Sequence, residues 1–207
     1  MITVTDPHRT GHESKYYPSE VNMRMADVII INKMDSAHVE DVIQLRKNIK
    51  KLNPSAIVVE ANSPIKVDDP DVINKKRVLV IEDGPTLTHG EMKFGAGVVA
   101  ARNFGANELV DPRPYLVGKL KETFETYPNI GEILPAMGYG EEQLHDLEET
   151  INNTDCDGVI IATPIDLSRE INIKKPFTRV YYKLQAIGKP NLDTVLETFL
   201  SEQGILK

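Results

Sequence analysis

The sequence predicts an α/β fold, doubly wound, with a mostly parallel sheet. Three observations carry that expectation. Short, largely apolar runs recur at Val28–Ile31, Ala56–Glu60, Arg77–Ile81 and Gly158–Ala162. Their β-branched residues leave no polar face, which is the pattern of strands covered on both sides. Each run stops at a polar loop, and helical patterns alternate with the runs along the chain. Every conspicuous polar loop follows a strand, so the loops should gather at the carboxyl edge, where open α/β sheets bind ligands.

Taken in order, Ile2–Asp6 reads as a strand that begins almost at the first residue. Pro7, Gly11 and Pro18 argue against a regular helix in the loop behind it. Ala26–Asp35 carries the buried run and then turns polar. Ser36–Leu52 has its apolar residues on one face, Ser36 as a cap and Asn53-Pro54 as a stop. Ala56–Glu60 is the next strand, and Lys66–Lys76 reads as a polar connection. Arg77–Ile81 is again a strand, and Glu108–Asp111 a shorter one. A helix is expected at Tyr115–Tyr127 and an uncharged loop at Leu134–Gly140. Glu141–Asn152 reads as an acidic helix with a solvated face. Phe177–Leu184 reads as an edge strand and Leu192–Leu200 as the terminal helix.

The chain has 207 residues, enough for one large domain or two small ones. The net charge of −7 argues against nucleic acid as a partner, although local basic loops can still bind small anions. No apolar run approaches the roughly 18 residues of a membrane span, and the N-terminus lacks a signal-peptide layout. The single cysteine, Cys156, fits a cytoplasmic protein and reads as structural, because Asp155 and Asp157 disfavour its thiolate.

The chemistry concentrates in the loops. Asn32-Lys33-Met34-Asp35, directly after a buried strand, is the base-reading motif of G-domain nucleotide-binding proteins. Asp35 can accept two N–H donors from a base edge, Asn32 can brace the loop, and the Lys33 stem can cover the flat face of the base. Ala61 and Ser63 fit the small-residue loop whose backbone amides touch the base. Asp6, at a strand end, stands where a Walker-B type carboxylate binds Mg²⁺. His8, Arg9, His12 and Lys15 crowd phosphate-handling groups into the loop behind it. His8 and His12 have metal-ligand spacing only in a helix, which the flanking proline and glycine oppose. A second loop, after Arg77–Ile81, repeats the design with Asp83, Thr86, Thr88, His89 and Lys93. Gly95-Ala96-Gly97 at a helix start can bind phosphate. Arg113, held between two prolines, is a candidate anion clamp. No G-x-x-x-x-G-K-[S/T] phosphate cradle occurs anywhere in the chain.

The runs DPHRTGHE, ADVIIINKMD, EDGPTLTHGEMKFGAG, VDPRPY, LPAMGYG and TPIDL together resemble the cyclic 2,3-diphosphoglycerate synthetase family, and the resemblance spans nearly the whole chain. It implies an enzyme that uses ATP to close an intramolecular phosphoanhydride in 2,3-diphosphoglycerate. Family members are about twice this length and carry their P-loop upstream, so the resemblance makes this chain a C-terminal part. Residues 1–66 would then be the end of a P-loop-NTPase-like nucleotide-binding domain without its Walker A segment. Residues 67–207 would be an α/β substrate domain. The implied cofactors are ATP and Mg²⁺, with Asp6 and Asp83 as metal ligands. Asp6, His8, Arg9, His12, His89 and Arg113 would serve catalysis, and Asn32, Lys33, Asp35, Ala61 and Ser63 the nucleotide. Lys15, Asp83, Thr86, Thr88 and Lys93 would hold the substrate. The implied partners are a small phosphorylated anion and either an N-terminal P-loop segment or a second copy of the chain. A looser resemblance, to the metallochaperone GTPases, leaves a nucleotide-binding or nucleotide-sensing module as the alternative.

Overall fold

A computed structural model describes residues 1–84 and 95–205. The chain divides into two compact units, residues 1–64 with 182–207, and residues 65–181.

In the first unit, strands β1 (Ile2–Thr5), β2 (Val28–Ile31) and β3 (Ile57–Asn62) run parallel, and β10 (Gln185–Ile187) pairs antiparallel with β3. The order is β1-β2-β3-β10. All four residues of β2 are buried because both of its faces are covered. Ile29 and Ile31 pack with Met23 of α2 (Tyr17–Met25) and with Leu45 and Ile49 of α3 (Val39–Leu52). Val28 and Ile30 face the other way, with Val59 and Ala61, under Leu192 and Val195 of α8 (Leu192–Glu202). The period of two along the strand produces this split. Burying each such side chain is worth about 1.5–3 kcal/mol.

Three expectations change here. Pro18 does not prevent a helix; it lies in the first turn of α2, where its missing N–H costs nothing. Helix α3 begins at Val39 with His38 as N-cap, while the Ser36 hydroxyl is taken up by the turn before it, donating to the Lys33 carbonyl at 3.3 Å. Residues 182–207, expected with the second region, return to the first unit, because β10 pairs with β3 and α8 covers its second face.

The second unit is organised on β5 (Arg77–Asp83), whose residues Val78–Ile81 are fully buried. Strand β8 (Gly158–Ala162) pairs along one edge of β5. On the other edge, β6 (Glu108–Leu109) takes its first half and β7 (Ile133–Ala136) its second, all parallel. Strands β9 (Phe177–Tyr182) and β4 (Ile65–Val67) continue the sheet beyond β8. Helices α4 (Ala96–Asn103), α5 (Lys119–Thr126), α6 (Glu141–Asn153) and α7 (Leu167–Glu170) contribute to its core.

The uncharged stretch expected as a loop therefore begins as buried strand β7, and Pro135 is tolerated because β7 pairs only with β5. Strand β9 is interior, not an edge, since the stretch read as a connection supplies β4. Helix α6 is amphipathic; opposite its solvated face it buries Asp146, Leu147, Thr150 and Ile151. The helix expected from Tyr115 starts at Lys119, after a 3₁₀ turn at Arg113–Tyr115 and a positive φ of 52° at Gly118. A Cβ at that glycine would meet the Asp146 carboxylate at 2.2 Å, and that carboxylate accepts the Lys119 amide at 2.9 Å. Among the described residues no helix is long and apolar enough to cross a membrane.

Candidate functional site

The ends of β1, β2 and β3 in the first unit are stitched together by the residues the sequence singles out. The Asn32 amide donates to the Thr5 carbonyl at 2.9 Å, and the Met34 amide to Ala61 at 3.1 Å. Lys33 adopts a left-handed φ of 58°, which a non-glycine residue takes at a cost of about 1–2 kcal/mol. That turn directs its ammonium to Asp6 Oδ2 at 2.9 Å, while Asp6 Oδ1 accepts the His8 amide at 3.0 Å. His8 Nε2 lies 3.0 Å from Ser36 Oγ. Asp35 Oδ1 accepts the Ser63 amide at 2.9 Å. The Ser63 amide, expected to touch a base, is thus used to tie the two base-reading loops together. Asn32 Oδ1 is buried and has no partner.

Beside this junction runs a groove of about 400 Å³, a size that suits a small molecule. Asp6, Arg9, His12 and Lys33 line it, so four of the expected residues do converge. His12 stands edge-on to Tyr16, ring centroids 5.0 Å apart. Lys15 is exposed on the single turn α1 (His12–Lys15) and does not line the groove. The sequence reading missed Glu13, Ser19 and Asn22, which also line it. Glu13 carried one signal, as the lone acid within a cationic loop. The loop is fixed to α3, since the Thr10 hydroxyl donates to the Asp41 carbonyl at 3.2 Å and the Asn48 side-chain amide donates to Glu13.

Each Asp6 oxygen accepts one donor, an amide or an ammonium, and among the described residues no group of three or more His, Cys, Asp or Glu is arranged for a metal ion.

In the second unit, Glu82 and Asp83 end β5. The expected phosphate site at the start of α4 is filled by the chain's own carboxylate. Glu82 Oε1 accepts the amides of Gly97 at 2.8 Å and Val98 at 3.1 Å. A Cβ at Gly95 would lie 2.2 Å from Glu82 Oε2, so the glycines are needed for the carboxylate itself. Burial pushes Glu82 up to about 7 against the pull of those amides. Burial and the Asp83 charge raise the Tyr139 phenol, whose hydroxyl is buried without a partner. Burial, more than the flanking aspartates, raises the Cys156 thiol. Arg113 is turned onto Asp111, with Nη2–Oδ2 at 2.6 Å, and this bond holds the Asp111 carboxyl below its ordinary value. Arg9 and Arg113 belong to different units. Thr86, Thr88, His89 and Lys93 lie outside the described residues.

Residues 1–60 match the family model described as CobW/HypB/UreG, nucleotide-binding domain, which covers β1, β2, α3 and most of β3. Over 206 residues, all of its length, the chain is 60% identical to the arginine synthetase ArcE of Thermococcus kodakarensis, and it spans 46% of that protein. The nucleotide-binding fold of the first unit and the synthetase-type relative agree with the motif resemblance. The chain is thus similar, along its whole length, to somewhat under half of this curated relative, and its first sixty residues are similar to a nucleotide-binding domain.

Proposed function

We propose that the chain is part of a nucleotide-dependent synthetase whose product is arginine, with ATP as the phosphoryl donor. The observation that carries this reading is the 60% identity, along the entire chain, to a protein named arginine synthetase. The chemistry suits a synthetase. Arginine's guanidinium is a ureido group with its oxygen replaced by nitrogen. Water does not drive that exchange, so the oxygen must first become a leaving group. Transfer of the terminal phosphoryl to the ureido oxygen releases ADP, and ammonia then attacks the same carbon and expels phosphate. Phosphoryl transfer asks mainly for positioning and for positive charge around the moving oxygens. Arg9 and Lys33, the latter shared with Asp6, bring that charge to the groove, and His12 adds a hydrogen-bonding ring. A Mg²⁺ that arrives on the nucleotide is part of that substrate.

A second reading is closure of 2,3-diphosphoglycerate into its cyclic anhydride, favoured by the DPHRTGHE and EDGPTLTHGEMKFGAG motifs and by the same cations. Both chemistries begin with phosphoryl transfer from a nucleotide, so the groove serves either. Product analysis separates them. The chain, joined to the P-loop segment that the motif resemblance implies, is incubated with MgATP and either L-citrulline plus ammonium or 2,3-diphosphoglycerate, with mass spectrometry and ³¹P NMR as readouts. Arginine supports the first reading and the cyclic anhydride the second. Nucleotide binding without either product supports the sensor alternative and contradicts both.

A further inference from the structure

Glu13 is 4% exposed, yet it borders the groove. Its Oε2 accepts the Gly11 amide at 2.7 Å and its Oε1 accepts the side-chain amide of Asn48. Both donors are neutral. Among the described residues no ion pair reaches it. A carboxylate this deep is rarely left without a cation, because burial removes the water that would stabilise its charge. It offers about four lone-pair sites, and the two donors use two of them.

The carboxylate is also held in place. Gly11 takes φ 98°, a left-handed conformation that only glycine adopts at little cost, and this turns its amide back onto Glu13. Asn48 anchors the other oxygen from α3. A buried charge fixed from two sides and facing a cavity is preorganised for a cation. The same cavity is bordered by the guanidinium of Arg9, the imidazole of His12 and the ammonium of Lys33, which also holds Asp6 of the same wall, and these donors suit an anion.

We infer that the groove binds a dipolar molecule of the basic amino-acid class. Its guanidinium or ureido nitrogens meet Glu13, and the anionic group beside them, the phosphoryl carried on the ureido oxygen, meets Arg9, His12 and Lys33. Ser19 and Asn22 are neutral groups of the same wall. The inference rests on the synthetase reading above and adds the residue that would select the nitrogen-rich end of the substrate.

Calorimetric titration of the full chain tests it, with L-arginine, L-norleucine and inorganic phosphate as probes. Norleucine keeps the amino-acid end and lacks side-chain N–H donors. The wild-type chain should bind arginine at least about tenfold more tightly than norleucine, the scale of one charged hydrogen bond. Glu13→Gln should remove most of that preference and leave phosphate affinity within about twofold. Equal binding of arginine and norleucine by the wild type overturns the inference, and this arm does not depend on the variant folding. Unchanged arginine affinity in a folded Glu13→Gln protein overturns it too. In both cases arginine formation, read separately, leaves the synthetase reading standing. No arginine binding by the wild type, together with no arginine formed, overturns both.

Discussion

The Lys33 ammonium lies 2.9 Å from the Asp6 carboxylate and joins the end of β1 to the left-handed turn after β2. Two strands that are neighbours in the sheet are thereby clamped at their carboxyl ends, beside the groove. The pair is partly exposed, so its stability contribution is small, about 0.2–1 kcal/mol. Lys33→Gly would lose that contribution and relieve a similar backbone cost. Urea unfolding should therefore move by less than about 1 kcal/mol, while calorimetry should show MgATP affinity reduced by about tenfold. A large stability loss with unchanged nucleotide binding would show Lys33 to be a structural turn residue only.

Glu82 gives a pH prediction. Its pKa is raised in the folded chain, to about 7 against an ordinary 4.5. The folded state therefore prefers the protonated form. The stability this brings is fully present below about pH 4.5 and is lost as pH rises through about 7, up to roughly 3 kcal/mol. Glu82→Gln mimics the protonated form and can still accept the Gly97 and Val98 amides. Denaturation at pH 5 and pH 8 should show the wild type losing about 2–3 kcal/mol more than the variant over that range. Equal pH dependence would mean that the carboxylate is not burdened by burial.

Gly97→Ala tests the packing beneath that carboxylate. A Cβ there would lie 2.7 Å from Val80 Cγ1 and 3.0 Å from Ala162 Cβ. Overpacking of this kind costs about 1–3 kcal/mol and outweighs the roughly 1 kcal/mol that alanine gains in a helix. The check is the denaturation midpoint, which should fall; a rise would show that α4 shifts freely.

These residues also show what the sequence can reveal. Strands β2, β5 and β8 were legible because a strand buried on both faces writes an unbroken apolar run. Strand β7 was not, because Pro135 and the glycines after it look like loop chemistry until β5 is seen beside it. The return of residues 182–207 to the first unit was invisible for a different reason. The surface that α8 covers is made by Val28, Ile30, Val59 and Ala61, distant in the chain. The same holds for the sites. Asp6, Arg9, His12 and Lys33 could be picked out by residue type, and they do converge. Glu13 looked ordinary because its burial depends on Asn48, and the glycines before α4 looked like a phosphate site because Glu82 comes from another element.

The two arginines now separate. Arg9 borders the groove of the first unit, and Arg113 is paired with Asp111 in the other unit. Arg9→Lys should weaken phosphate binding by about tenfold, and Arg113→Lys should change it by less than about twofold. Titration of inorganic phosphate into both variants checks this, and equal losses would place Arg113 back in the site.

The synthetase reaction proposed for the first unit's groove is open to a direct test. The most direct measurement is product analysis of the chain joined to the P-loop segment that the motif resemblance implies, with MgATP, L-citrulline and ammonium, arginine and phosphate being quantified in the same samples. The account predicts arginine and phosphate in equal amounts, both falling at least about tenfold in Arg9→Lys. Bound nucleotide with no arginine formed, or arginine formed equally well by that variant, would contradict it.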